Sequence, residues 1–394
     1  MTTVERISLD PPVPGVHEQA LANRVFFVSD TILDFSLVRS AGGIEAVDVV
    51  VKEGTDVGDL ARKLRFVVAN DIAGQRRLTP KVAWRGTTTG KAQDVFEDMV
   101  QRGIAFEAGE GQISVGEPFL SLMDYFDSRF TALAIGEFGA CARRYPTLIP
   151  TTVMQRCGYF QSSPQLMMFV SRLHADVATY RDFRTEIAES LDLAAGLRAH
   201  CGDFDYCLPP TMCFHTYHEL NNRSLPTSAL TVTARGKSFR FESRYRRSLE
   251  RLWDFSIREI VFLGSRDHVL TSRRRLMEQS CELIDSLGLG GSCEVATDPF
   301  FAGSDTVERV WSQQLLDLKY ELRLPVDADR DVAVGSFNFH EQFFGKSFGI
   351  TAGAGPAYTA CAGIGLERLA YSFLCRYGLD LDGWPAEVRK SVPQ

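Results

Sequence analysis

Apolar and polar residues alternate in two short stretches, 238–242 and 256–263, on either side of a loop crowded with charge. Alternation with a period of two is typical of strands, so the pattern predicts an antiparallel strand pair joined by a polar loop. Because side chains alternate between the two faces of a strand, Arg240 and Glu242 would share one face. Taken by itself, the stretch fits a solvated hairpin tip with surface ion pairs better than it fits a ligand site.

The rest of the chain shows both helical and strand-like spacing of its apolar residues. Apolar residues at helical spacing predict helices, and short alternating runs bounded by turn residues predict strands. The predicted helices cover 56–72, the later part of 87–103, 119–137, 166–176 and 267–289. The predicted strands cover 23–29, 46–51, 295–300, 314–324 and 331–339, with a small hairpin over 104–115. Residues 1–22 are rich in proline and acidic residues, which favours a loose lead-in.

A chain of 394 residues is too long for one average domain, which suggests two parts. Residues 1–115 carry neither a metal-spaced Cys/His set nor a glycine-rich phosphate loop. We therefore expect them to form a small α/β appendage whose role the sequence does not indicate. Residues 116–394 would form the larger, catalytic domain.

The overall charge and the cysteines restrict the possible partners and the compartment. The net charge of −7 argues against broad binding of polyanions such as tRNA, which need a basic face, although a local patch can lie within an acidic total. The nine cysteines show no framework spacing, as in a reduced cytosolic protein. The first residues lack a signal-peptide pattern and no apolar run is long enough to span a bilayer. We expect a cytoplasmic protein with no membrane partner.

Residues suited to phosphate lie in the charged loop and in a second segment near the C-terminus. The loop adds four arginines between 244 and 251, and arginine offers a planar fork of donors that matches phosphate oxygens. In 358–374, a glycine-bearing strand end runs into an apolar helix that carries Arg368 in its first turns. Together, Phe-Arg-x-Glu at 239–242 and Gly-x-Gly-x-x-Arg at 363–368 resemble motifs 2 and 3 of class II aminoacyl-tRNA synthetases. The resemblance implies an α+β fold with a central antiparallel sheet flanked by helices.

The same resemblance implies an ATP site. Arg240 would hold the α-phosphate while a carboxylate attacks it, and Arg368 would hold the far end of the triphosphate. Glu242 would accept a hydrogen bond from the adenine amino group, and Phe255 would stack on the base. The other residues assigned to ATP are Glu250, Arg251, Glu321 and Asp331. The last two are candidates for Mg²⁺, because they are expected on consecutive strands that face one site. Considered alone, Phe255 fits a core position equally well and Asp331 fits a strand-end cap better.

A closer resemblance concerns a metal. The stretch 249–264 resembles the atypical seryl-tRNA synthetases and, more closely, the amino acid:[carrier protein] ligases derived from them. In both groups a Cys, a Glu and a Cys hold Zn²⁺ in the active site, which implies Cys213, Glu259 and Cys361 here. Cys213 is expected in the strand that leads to motif 2, and Glu259 at the end of the second motif 2 strand. Spacing alone does not indicate zinc, whose motifs usually carry close cysteine pairs, and each cysteine alone is more simply a small buried residue.

In these families the α-amino group of the substrate fills the coordination position that three protein ligands leave open. The implied substrate-binding residues are Glu259, Ser336 and Asn338. The stretches 331–340 and 157–165 also resemble the ligases.

The resemblance implies a ligase with two half-reactions. ATP and a small amino acid (glycine, alanine or serine) would give an aminoacyl-adenylate and pyrophosphate. The phosphopantetheine thiol of an acyl or peptidyl carrier protein would then take the aminoacyl group as a thioester. We expect ATP, Zn²⁺ and Mg²⁺ as cofactors, a homodimer, and no tRNA partner. Two alternatives stay open: an atypical seryl-tRNA synthetase that charges tRNA, and an inactive synthetase paralogue that acts as a binding partner.

Overall fold

The computed structural model describes residues 2–72, 81–87, 90–189, 192–242, 248–296 and 318–392. An eight-stranded sheet is its largest feature. In spatial order its strands are Val82–Arg85, Ser292–Val295, Lys319–Pro325, Asp331–Phe339, Tyr358–Gly365, Asp254–Gly264, Leu230–Phe239 and Cys141–Arg143. All neighbouring pairs are antiparallel except the last, which is parallel. The expected α+β architecture around an antiparallel sheet is confirmed.

Three long helices, Phe119–Phe138, Arg266–Ser286 and Leu366–Tyr377, pack against this sheet and bury one continuous apolar core. Phe126 and Phe373, for example, are fully buried with ring centroids 6.1 Å apart, and such burial is the main favourable term in folding. The shorter α-helices of this part are Phe96–Gln101, Thr151–Arg156, Tyr159–Ser162, Val177–Glu189, Leu193–His200, Cys213–Glu219, Phe343–Ser347 and Ala386–Arg389. Among the described residues, no helix combines the length and hydrophobicity that a membrane crossing requires.

Smaller sheets and turns complete the fold. A three-stranded sheet has the order Ile149–Pro150, Cys201–Leu208, Met168–Leu173. Two hairpins pair Ala105–Gly109 with Gln112–Val115, and Thr351–Ala352 with Gly355–Pro356. The 3₁₀ turns are Gly15–His17, Pro164–Leu166 and Leu381–Gly383.

Residues 2–72 enclose a core of their own, and we call them the N-terminal unit. Its antiparallel sheet has the order Thr2–Val13, Gly43–Lys52, Ile32–Ser40. Its helices are Glu18–Val25 and Val57–Val67, the second continuing as a π-helical turn, Val68–Ile72. Asp56 caps the second helix by accepting a hydrogen bond from the backbone of Asp59, which satisfies one of the free N–H groups of the first turn.

The N-terminal core ends at residue 72, whereas the sequence analysis placed the domain boundary at residue 115. Strand Val82–Arg85 pairs with Ser292–Val295 in the large sheet. Phe96, Met99 and Ala105 are buried in the core of that sheet. Residues of 82–87 and 90–115 therefore pack with the core of the large sheet, whereas the sequence analysis assigned them to the appendage.

The prediction of a loose lead-in over 1–22 was wrong, because Thr2–Val13 is a strand. Ile7 and Leu9 alternate onto its buried face, which is the pattern of a half-buried strand. The prolines that follow Leu9 concealed this alternation in the sequence.

The predicted strand 23–29 was also wrong. Helix Glu18–Val25 takes its first residues, because Leu21 and Val25 are one helical turn apart and both fully buried. The strand of this region lies later, at Ile32–Ser40.

Two further predictions failed where pairing with a distant strand decided the local structure. The predicted helix 166–176 is the strand Met168–Leu173, which pairs with Cys201–Leu208. The strand predicted at 238–242 ends at Phe239, so Arg240 and Glu242 follow the strand instead of lying within it.

The other predicted elements are confirmed where the structure describes them. These elements are 46–51, 56–72, 104–115, 119–137, 256–263, 267–289, 331–339 and the strand-to-helix segment 358–374. Parts of the predicted strands 295–300 and 314–324 fall outside the described residues, as do residues 243–247 of the charged loop.

Candidate active site and metal centre

Cys213, Glu259 and Cys361 converge although they are far apart in the sequence. One ligand atom from each lies within 4.8 Å of the other two, and all three residues are buried. Glu259 and Cys361 lie on adjacent antiparallel strands of the large sheet, and Cys213 is the first residue of helix Cys213–Glu219. We call these three residues the ligand trio.

The chemistry of the ligand trio fits a zinc ion. Two thiols and a carboxyl are donors that Zn²⁺ accepts, and three protein ligands are typical of zinc sites that keep one position open. Burial raises the pKa of Cys213 and of Glu259, while a hydrogen bond shared with Cys213, followed by burial, raises the pKa of Cys361. Burial therefore makes deprotonation of the trio less favourable, and a bound divalent ion would favour the deprotonated ligands.

Polar neighbours orient the ligand trio. Thr211 Oγ1 donates a hydrogen bond of 2.9 Å to Glu259 Oε2. Asn338 Nδ2 and His340 Nε2 each lie 3.6 Å from the sulfur of Cys361. Outer partners of this kind fix the ligand geometry and tune the affinity of a metal site.

The strand beside Cys361 supplies the residues expected to contact the amino acid. Ser336 lies opposite Gly363 and Asn338 opposite Cys361, so these side chains share one face of the sheet. The Oδ1 atom of Asn338 is buried and has no hydrogen-bond partner within the described part of the chain. A Cβ atom on Gly363 would lie 2.8 Å from Ile257 Cδ1 and 3.5 Å from Glu259 Oε2, so a side chain there would press on Ile257 beside the trio.

Two details of the ligand placement were predicted wrongly. Cys213 lies in a helix, because strand Cys201–Leu208 ends before two consecutive prolines and the helix begins after them. Glu259 lies in the middle of strand Asp254–Gly264, because the apolar run continues past it.

On the side where the sequence analysis expects the nucleotide, Glu242 lies among arginines. Its Oε2 accepts a hydrogen bond of 2.7 Å from Arg251 Nη1. Burial alone would raise the pKa of Glu242, but the charges of Arg251, Arg240 and Arg368 outweigh burial and lower it. Glu242 is therefore an ionised acceptor at neutral pH.

Arg240 lies between the arginine cluster around Glu242 and the ligand trio. Its Nε donates to the carbonyl of Pro210 at 3.1 Å, and its guanidinium lies 5.3 Å from the ring centre of Phe255. Its positive charge also opposes the rise that burial causes in the pKa of Glu259. Arg240 thus contacts both Phe255 and the segment whose Thr211 bonds to Glu259.

Arg368 is held by backbone carbonyls. Its Nε donates to Glu250 at 2.7 Å and its Nη1 to Ala333 at 3.1 Å. Burial and the nearby charge of Arg251 lower the pKa of Arg368 to about 10, so it stays cationic at neutral pH. The side chain of Glu250 is buried and pairs with Arg330.

Glu321 and Asp331 both contact Arg323, at 2.9 Å and 2.8 Å respectively. Glu321 is also paired with Lys319 at 2.8 Å. Burial would raise the pKa of Glu321, but Lys319 and Arg323 lower it. Each carboxylate thus already has a cationic partner, and their assignment to Mg²⁺ stays a prediction.

Sequence reasoning missed Thr211, His340 and Arg330 as site residues. Thr211 is two positions before a ligand candidate, and His340 closes a stretch that resembled the ligases, so both carried a weak local signal. Arg330 carried no such sequence signal, because only the fold brings it to its partners. It pairs with Glu250, and with Asp94 at 2.6 Å.

Comparison with known proteins identifies the family. The chain is 32% identical to amino acid–[acyl-carrier-protein] ligase 1 of Bradyrhizobium diazoefficiens over 256 residues, which are 64% of this chain and 76% of that protein. The chain belongs to the amino acid–[acyl-carrier-protein] ligase family. No family model matches its sequence.

This ligase also resembles serine–tRNA ligases. It is 28% identical to the type-2 serine–tRNA ligase of Methanothermobacter thermautotrophicus over 290 residues, which are 72% of this chain and 56% of that protein. The ligase thus matches only about half the length of that relative. The structural match to the M. kandleri SerRS in complex with A. aeolicus tRNASec covers all of this chain and 80% of that one, with a TM-score of 0.72 and 21% identity. This likeness confirms the expected class II synthetase-like fold.

Proposed function

We propose that this ligase activates a small amino acid with ATP and transfers the aminoacyl group to the phosphopantetheine thiol of a carrier protein. The observation that carries the proposal is that Arg240, in the arginine cluster around Glu242, donates to Pro210, and that the next residue, Thr211, donates to Glu259 of the ligand trio. The Bradyrhizobium relative is named as an amino acid–[acyl-carrier-protein] ligase, which supports the choice of acceptor.

In the first half-reaction, a carboxylate oxygen of the amino acid bonds to the α-phosphorus of ATP. The bond from that phosphorus to the bridging oxygen breaks, and pyrophosphate leaves with the electron pair. Arg240 donates to the α-phosphate oxygens as charge develops on them, and Arg368 binds the far phosphates. Glu321 and Asp331 would hold Mg²⁺, which neutralises phosphate charge.

The adenine is recognised by Glu242 and Phe255. The lowered pKa of Glu242 keeps it an acceptor for the exocyclic amino group of adenine. Phe255 offers an aromatic ring beside the guanidinium of Arg240. Arg251 holds the Glu242 carboxylate in place for this contact.

The amino acid is recognised beside the ligand trio. Cys213, Glu259 and Cys361 would hold Zn²⁺, and a bound zinc ion supplies a Lewis-acid position for a neutral α-amino group. Ser336 and Asn338 lie on the same face of the sheet and would contact the substrate. The site is buried, which favours glycine, alanine or serine over larger side chains.

In the second half-reaction, the phosphopantetheine sulfur bonds to the carbonyl carbon of the adenylate. The bond from that carbon to the phosphate oxygen breaks, AMP leaves, and the thiol proton passes to water. We also propose that the protein acts as a cytoplasmic homodimer and does not charge tRNA. The net charge of −7 supports the last point.

Two assays test the proposal. Pyrophosphate exchange with glycine, alanine, serine and their deamino analogues measures activation, and only substrates with an α-amino group should support it. Labelled amino acid is then offered with holo carrier protein, apo carrier protein and bulk tRNA. We expect label on the holo form only. Label on tRNA would favour serine–tRNA ligation. Absence of pyrophosphate exchange with every amino acid would favour an inactive paralogue.

A further inference from the structure

The segment that carries Glu242 is anchored in the N-terminal unit. The ring of Phe241 packs against the core of residues 2–72. Its centroid lies 5.7 Å from Phe26, 6.1 Å from Phe27 and 4.7 Å from Trp253. The residue next to the proposed adenine acceptor thus belongs to the packing of a different unit.

A polar contact reinforces this anchor. Arg251 donates from Nη1 to Glu242 Oε2 at 2.7 Å and from Nη2 to Asn23 Oδ1 at 2.8 Å. Its side chain is 21% exposed and that of Glu242 is 13% exposed, so water screens the pair only weakly. Asn23 therefore fixes the guanidinium that in turn fixes the carboxylate.

The backbone of the same segment is held from a second direction. Trp253 donates from Nε1 to the carbonyl of Glu242 at 3.0 Å, and its own backbone N–H donates to Gly111 at 2.8 Å. Gly111 has φ of +64°, and a Cβ atom there would lie 2.3 Å from the indole. The turn at Gly111, between strands Ala105–Gly109 and Gln112–Val115, therefore fits closely against Trp253. Glu242 is thus held through both its backbone and its side chain.

We propose that Asn23 is a positioning residue for ATP, through which the N-terminal unit sets the orientation of Arg251 and Glu242. The inference rests on the proposed role of Glu242 in adenine binding. It gives the N-terminal unit a function inside the reaction. Asn23 acts through Arg251, which bonds to Glu242, so we expect its effect on the binding of ATP.

The test replaces the acceptor oxygen and then restores it. Asn23→Leu keeps the side-chain size but cannot accept a hydrogen bond, whereas Asn23→Asp keeps the acceptor. Because a hydrogen bond to a charged group is lost, we expect the KM for ATP in pyrophosphate exchange to rise about tenfold in Asn23→Leu. In Asn23→Asp it should stay near that of the wild type. The KM for the amino acid and the zinc content should not change in either variant.

A matched control separates positioning from general weakening of the N-terminal unit. Asp48→Asn removes the charge partner of Arg6, 2.6 Å away on the sheet of the same unit. Its melting temperature can be compared with that of Asn23→Leu, and its KM for ATP should equal that of the wild type. A second check is Arg251→Ala, in which adding Asn23→Leu should cause no further rise.

Three results would overturn the inference: an unchanged KM for ATP in Asn23→Leu, an equal rise for ATP and amino acid, or the same rise in Asp48→Asn. If none of the amino acids supports pyrophosphate exchange by the wild type, the proposed function fails. Calorimetric titration with ATP then decides the role of Asn23. Weaker ATP binding by Asn23→Leu than by Asn23→Asp would still support it. Equal ATP affinities of the two variants, or no ATP binding by either variant or the wild type, would refute the role of Asn23.

Discussion

Asn338 and Cys361 stand directly opposite each other on paired strands, and the amide nitrogen of Asn338 lies 3.6 Å from the sulfur of Cys361. One strand pair therefore carries a candidate metal ligand and a candidate substrate contact. Because the two are set by the same register, the amino acid and the metal would occupy a fixed position relative to each other.

Replacing Cys361 by Ala should abolish metal binding and amino acid activation while the protein stays folded. The side chain is small and only one sulfur is lost from the core. Metal analysis of the purified protein should fall from one zinc per chain in the wild type to none. Cys375→Ala is the matched control, because Cys375 is also buried but lies outside the ligand trio. Retention of zinc in Cys361→Ala would contradict the assignment.

Replacing Arg240 by Ala should lower kcat/KM for pyrophosphate exchange by about a hundred- to a thousandfold, because a fixed donor to the developing charge is removed. Zinc content should be unchanged. Arg240→Lys should recover little, since an ammonium cannot reproduce the planar fork. Arg235→Ala serves as the control, because Arg235 lies on the strand that leads to Arg240 and pairs with the exposed carboxylate of Asp124. Comparable activity in Arg240→Ala and Arg235→Ala would disprove the role.

Replacing Thr211 by Val should weaken zinc binding about ten- to a hundredfold, because Glu259 loses the hydrogen bond that orients it. Competition with a chelator measures this affinity. Thr211→Ser retains the hydroxyl and should restore the wild-type value. If Val and Ser at this position gave equal affinities, the hydroxyl would have no such role.

Replacing Glu242 by Gln should lower the free energy of unfolding by about 2 kcal/mol at pH 7, the usual value of a hydrogen bond to a charged group. The folded pKa of Glu242 lies below the unfolded value of 4.5. The contribution is therefore fully present above pH 4.5 and disappears as the pH falls through the lower, folded value. Urea unfolding at neutral and acidic pH measures both effects.

The control for this experiment is Glu137→Gln. Glu137 pairs with Arg275 at 3.1 Å, but both side chains are at least 40% exposed. An exposed pair contributes little, so this variant should change stability by less than about 1 kcal/mol at either pH. A pH-independent difference between Glu242→Gln and the wild type down to pH 2 would refute the lowered pKa.

The sequence predicted the long helices and the strands around Glu259 and Cys361 because their apolar patterns are strong and local. It could not predict that Arg240 and Glu242 lie beyond the strand, since the end of Leu230–Phe239 depends on how far its partner strand pairs. The convergence of the ligand trio rested on resemblance, because the spacing of its members carries no metal signal.

The contact between Asn23 and Arg251 had no sequence signal at all. The residues around Asn23 were assigned to a strand on their local apolar run, whereas tertiary packing makes them the end of a helix and the turn after it. Contacts between residues so distant in sequence are decided by the packing of whole units, which a single sequence does not display.

The register that joins Glu259 to Gly363 has a consequence for biosynthesis. The ribosome must have released the segment Tyr358–Gly365 before that strand can pair with Asp254–Gly264, so Glu259 and Cys361 meet only after both strands have been synthesised. A nascent chain that has not yet released this strand therefore lacks one of the three proposed zinc ligands.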